Sequence, residues 1–191
     1  MEAEDWRERL AASLEGLRRL AVLGIGNELY GDDGAGVALA RSLARSGIDL
    51  GKMRAFEAGP APENFTGSLR KMNPSHVLMV DAANLGLEPG SIRVIDVEQI
   101  TGAGFSTHTL PLHILADFIA REGCRVVMLG IQPRDLSFGE SLSPEVTTAI
   151  TQLKNHLTRP PHRQWKTHCH ALAPYPILRH SHVRRAFLMS F

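Results

Sequence analysis

The sequence predicts an α/β fold, a three-layer sandwich whose twisted, mostly parallel sheet of about five strands carries helices on both faces. Three observations predict it. Short apolar runs at Leu20–Ile25, His76–Asp81 and Arg125–Ile131 have the length and content of strands buried on both sides. Helix-patterned stretches alternate with them, which implies parallel strands joined by crossovers. The first run also ends in a glycine-rich turn, Gly24-Ile-Gly26, the punctuation expected where a strand gives way to a helix.

In chain order, residues 4–19 set Trp6, Leu10, Leu14 and Leu17 at helical spacing, an amphipathic helix lying on the body. The first strand and its turn lead to a helix from Ala35 to Ser46. A second strand at Met53–Glu57 enters the stiff loop Ala58-Gly-Pro-Ala-Pro62, followed by a helix over Glu63–Met72. The run from His76 ends abruptly in Asp81. Asn84–Gly90 turns the chain into a strand at Ile92–Ile95. A loop through Gly102 and Gly104 passes Ser106-Thr-His108 and reaches a helix that starts on Pro111 and runs to Arg121. The strand at Arg125–Ile131 and a closing helix over Pro144–Leu157, capped by Ser143, complete the body.

The length of 191 residues suits a single domain, read here as residues 1–158. Residues 159–191 form a tail with five histidines, six basic residues, four prolines and no acid, a composition that reads as disordered. Without the tail, 15 basic residues face 20 acidic ones, a net charge of −5. An acidic body argues against nucleic acid as a partner. Mean hydropathy of −0.09, and the lack of any apolar run near the ~18 residues a span requires, argue against membrane insertion. Two cysteines at no meaningful spacing and an acidic, polar start point to a reducing, cytoplasmic home.

Gly24-x-Gly26 after a first strand invites a dinucleotide reading, but Leu29 stands where the third glycine belongs. Asp32 and Asp33 would also repel a pyrophosphate at the helix start. Two carboxylates on a glycine-rich turn suit a cation, or a proton shared between acids. Ligands of open parallel sheets bind beyond the carboxyl ends of the strands. Asp33 follows the first strand, Asp81 ends a central one, and His108 lies in a loop entering a later helix. If the first strand lies beside the one ending in Asp81, as in the 2-1-3 order, both carboxylates line one crevice at the solvent edge of the sheet. Two oxygens and a nitrogen form an incomplete set suited to Ni, Zn, Fe or Mn. Structural readings stand beside this one. Asp32 reads first as a cap of the following helix, and Asp33 fits the same role equally well. His108 could be a cap or surface residue, and His113 reads as packing. Asp81 is harder to explain structurally, since a carboxylate ending an apolar run is costly unless paired or functional.

Gly24-Ile-Gly-Asn27, followed by Gly31-Asp-Asp33-Gly-Ala-Gly36, resembles the opening signature of the [NiFe]-hydrogenase maturation endopeptidases, specifically the hydrogenase 3 type. The likeness continues through Ala61-Pro-Glu-Asn64, Val80-Asp-Ala82, Gly86–Gly90, Ser106-Thr-His108 and Leu129–Pro133, in order over residues 20–157. It implies a peptidase that removes a C-terminal extension from a hydrogenase large-subunit precursor once nickel is inserted, after a basic residue near the metal-holding cysteines. It also places the family's metal-contacting residues on Asp33, Asp81 and His108. Two carboxylates and an imidazole without a thiolate should bind nickel only weakly in the free protein, yet complete the shell of an ion supplied by the substrate and already held by its cysteines. Ala58-Gly59-Pro60 departs from the family's usual Gly-Gly and small hydroxyl residue, in a loop linked to substrate recognition, and so leaves the target hydrogenase open. The rival readings are a non-proteolytic nickel carrier and a metal-free dyad in which Asp33 and Asp81 share a proton.

Overall fold

The computed structural model describes residues 5–46, 52–95 and 111–158. His108 and the tail after residue 158 lie outside the described residues. The order of elements is α1 (Trp6–Ser13), β1 (Leu20–Ile25), α2 (Ala35–Arg45), β2 (Met53–Gly59), α3 (Thr66–Met72), β3 (His76–Ala82), β4 (Ile92–Ile95), α4 (Leu112–Arg121), β5 (Arg125–Ile131) and α5 (Pro144–Thr158). Short 3-10 turns precede α2, at Gly31–Gly34, and α3, at Pro62–Phe65.

The five strands form one sheet in the order β2-β1-β3-β5-β4, with only the edge strand β4 antiparallel. β1 and β3 are buried along their whole length, as expected of strands covered on both faces. Alternate residues feed two cores. Leu20, Val22, Leu78, Val80 and Leu129 pack under α1, α2 and α5, through Leu10, Leu39 and Leu153. Ala21, Leu23, Val77, Met79 and Met128 pack under α3 and α4, through Leu69, Leu115 and Ile119. The helices therefore cover both faces, and the expected 2-1-3 neighbourhood of strands is present.

Several elements differ from expectation at their ends, β2 running on to Gly59 and β3 to Ala82. α1 stops at Ser13, and Gly16 then takes φ +76°. Leu14 and Leu17 continue to pack on the core from non-helical backbone, so their spacing reports burial rather than helix. The helix expected over residues 63–72 is a 3-10 turn leading into α3. Pro111 sits just before α4, at its N-cap, in extended backbone (φ −56°, ψ 130°). Among the described residues, no helix is long and apolar enough to cross a membrane.

β1 and β3 run in register from Leu20 beside His76 to Gly24 beside Val80. Asp81 thus stands one residue beyond the last β1 partner, where the turn after β1 folds over.

Candidate active site at the carboxyl edge of the sheet

Two glycines allow the turn after β1 to pack directly onto its neighbours. A Cβ on Gly36 would lie 2.2 Å from the Val80 carbonyl oxygen and 2.4 Å from that of Ile25, so α2 begins in backbone contact with β1 and β3. Gly26 has φ +119°, and a Cβ there would lie 1.8 Å from the Asp33 carbonyl oxygen and 3.5 Å from Asp81 Oδ1. Gly26 is therefore where the Asp33 backbone and the Asp81 carboxylate converge. The crevice expected from strand order is present, but its acids are not at the solvent edge. Asp33 is 7% exposed and Asp81 0% exposed, because the turn closes over them.

Asp33 does not cap α2. The N-cap of that helix is Gly34, with no side-chain cap, and Asp33 Oδ2 instead accepts a hydrogen bond from Asn27 N at 2.7 Å. The carboxylate thus closes its own loop back onto the end of β1. The capping role expected for Asp32 is also absent. Asp32 is fully buried, and its carboxylate accepts from Arg134 N (2.8 Å), Asp135 N (3.1 Å), Ser143 N (2.7 Å) and Ser143 Oγ (2.9 Å). Its own amide donates to Asp135 O at 2.9 Å. Asp32 is the pin between the β1–α2 turn and the β5–α5 loop, more than 100 residues away in sequence. Ser143 also has its expected capping role, with Val146 N donating to its Oγ at 3.4 Å.

Two groups at this edge were not identified from the sequence. Gln132, 8% exposed just beyond β5, accepts from Leu85 N (2.7 Å) and Leu87 N (3.2 Å) through Oε1 and so holds the loop after Asp81. Arg41 on α2 bonds both Glu28 oxygens (2.6 and 2.7 Å) and Glu57 Oε2 (2.7 and 2.9 Å), tying the Asp33 loop to β2. The Arg41 contacts hold the Glu28 carboxyl below the usual carboxylate range. A Glu–Arg–Glu arrangement leaves only long-range pairings as signal, and sequence spacing does not reveal those. His113 is half-buried on α4, in keeping with the packing reading. Among the described residues, no three His, Cys, Asp or Glu side chains are placed to hold a metal ion; the expected third ligand, His108, is not among those residues.

Residues 37–159 match the model of the family described as hydrogenase maturation protease, HycI. The chain belongs to the hydrogenase maturation proteases. It is 35% identical over 137 residues to the hydrogenase 3 maturation protease of Escherichia coli K12, covering 71% of this chain and 86% of that one. The crystal structure of the [NiFe] hydrogenase maturation protease HycI from Thermococcus kodakarensis superposes with a TM-score of 0.72 at 30% identity, over 78% of this chain and 96% of the other. The solution structure of the endopeptidase HycI from Escherichia coli gives 0.65 at 34% identity, over 72% and 87%. As a hydrogenase maturation protease, the chain is an endopeptidase of α/β fold. The carrier and dinucleotide readings give way to that membership.

Proposed function

We propose that the chain trims the C-terminal extension of a [NiFe]-hydrogenase large-subunit precursor after nickel insertion, with Asp33, Asp81 and His108 engaging nickel that the substrate already holds. The observation that carries this reading is the convergence of the Asp33 turn and the Asp81 carboxylate at Gly26, in a chain of the maturation protease family. Carboxylates and an imidazole, with no thiolate, suit an ion whose other positions are filled by substrate cysteines. Bound there, the ion would supply recognition and polarise a carbonyl oxygen. The chain's own contribution is positional. Asn27 N fixes one Asp33 oxygen, and burial keeps Asp81 from wandering into solvent.

The test is incubation of the chain with its large-subunit precursor in nickel-loaded and nickel-free forms, followed by mass spectrometry of the products. The reading expects the loaded precursor to be shortened and the nickel-free one to stay intact. Equal cleavage of the nickel-free precursor in the presence of a chelator would contradict it and favour the proton-sharing dyad.

A further inference from the structure

The β1–α2 turn and the β5–α5 loop do more than frame the two acids. Leu29 (59% exposed) and Tyr30 (43%) lie on the first, and Leu136 (49%) and Phe138 (70%) on the second. A single exposed leucine carries no information, but four large apolar side chains on two touching loops do. The Tyr30 and Phe138 rings meet edge to face with centroids 5.5 Å apart. Gly139 N donates to Leu29 O at 2.8 Å, joining the loops beside that contact. From beneath, the buried Asp32 carboxylate fastens the second loop to the first through Arg134, Asp135 and Ser143. The apolar side chains are therefore presented on a fixed base, which lowers the ordering cost of binding.

Their position identifies what they face. Asp33 N donates to Tyr30 O at 3.0 Å, so the apolar surface is continuous with the turn that carries the candidate catalytic acid. Its margin is acidic. Asp135 and Glu140 flank Gly31; the Ser137 hydroxyl and amide, with the neighbouring Arg134 charge, hold the Asp135 carboxyl below the usual carboxylate range, and Arg134 itself is paired with Glu145. Among the described residues, the other exposed large apolar side chains, Ile114 and Phe118, are on α4.

Given the processing function proposed above, on which this inference rests, we propose that Leu29, Tyr30, Leu136 and Phe138 form the docking surface for an apolar stretch of the hydrogenase precursor. That stretch carries lysine or arginine at its border, opposite Asp135 and Glu140. Seated there, the precursor is delivered to Asp33 from the β5–α5 side of the crevice. The surface contributes affinity and takes no part in bond breaking.

The experiment measures cleavage of the nickel-loaded precursor over a range of precursor concentrations, for the full parent chain and for a Leu29→Ser, Phe138→Ser double variant. Both side chains are mostly exposed, so the unfolding midpoint serves as the check on folding. The proposal expects KM to rise about tenfold or more with kcat within about twofold of the parent. Asp135→Lys should raise KM independently in a low-salt buffer and lose that effect at high salt. Unchanged KM in the double variant, with the parent active, overturns the docking surface and leaves the function standing. A parent that leaves the precursor intact overturns both. A double variant that keeps its KM but turns a dimeric parent into a monomer assigns the surface to a second copy of this chain, which also overturns the proposal.

Discussion

The two ends of β3 both bury a polar side chain, and the fold treats them in opposite ways. At the amino end, His76 is 4% exposed beside backbone bonds that join three strands, and its buried Nε2 has no hydrogen-bond partner among the described residues. Ser75 Oγ accepts from Arg18 N (2.9 Å) and Arg19 N (3.0 Å) and lies 3.0 Å from His76 Nδ1. His76 N donates to Arg19 O at 3.1 Å, and Arg125 N donates to Ser75 O at 2.9 Å, so β1, β3 and β5 are stitched together there. Cys124 belongs to the same edge. Its thiol donates to Pro74 O at 3.3 Å, and burial pushes its pKa up, which makes it a poor nucleophile. At the carboxyl end, Asp81 is just as buried, yet it stands beside Gly26, over which the Asp33 backbone also passes. One end uses Ser75 and the flanking backbone to hold strands together; the other gathers acidic side chains where glycine leaves room for the turn. The difference teaches that burial alone does not mark a site. The marker is buried charge beside a turn with missing side chains, at the edge where parallel strands end.

Asp32 is the boundary case, a buried charge at the active edge with a structural job. Asp32→Ala would leave three backbone N–H groups and a hydroxyl without their acceptor, and should destabilise the chain by about 3 kcal/mol, lowering the unfolding midpoint by roughly 10 °C. Thermal unfolding checks the number. A loss under about 1 kcal/mol would put Asp32 with exposed residues and erase its distinction from Asp33. Asp32→Asn should recover part of the loss, since the amide oxygen can still accept.

A smaller effect sharpens the other end. Burial pushes the pKa of His76 down, with the Arg125 charge acting in the same direction. His156 is lowered too, chiefly by burial, where it packs edge to face on Trp6 at 5.2 Å. The native state keeps both rings neutral to lower pH than the unfolded chain, whose histidines take up protons near about 6.5. Below that point the unfolded state binds more protons, so stability should fall as pH drops through about 6.5 and level off once the native rings protonate. Unfolding midpoints measured between pH 7.5 and about 5 should show that decline, and His76→Gln should flatten it. A curve of the same slope in the variant would remove His76 from the account.

The sequence carried the fold because its signals are local. Apolar runs, glycines and prolines placed all five strands, and strand alternation placed Asp33 and Asp81 at one edge. What it missed depends on contacts across the chain. Asp32 looks like a helix cap when only residues 33–36 are considered; its partners at 134, 135 and 143 are invisible to any local pattern. Gln132 and Arg41 escaped for the same reason. Asp81 was expected at a solvent edge because strand ends usually are exposed, and it is buried because Gly26 lets the turn lie on top of it. The stretch leading to His108, Gly102-Ala-Gly-Phe-Ser-Thr107, has no periodicity to position the imidazole.

The contrast between the two ends of β3 is tested most directly by Asp81→Asn, assayed on the nickel-loaded precursor at a folded concentration equal to that of the parent. The substitution preserves shape and removes charge. The account predicts that processing falls by roughly a thousandfold, a loss of about 4 kcal/mol in transition-state stabilisation, while the unfolding midpoint stays within a few degrees of the parent. Processing at the parental rate by folded Asp81→Asn would contradict it.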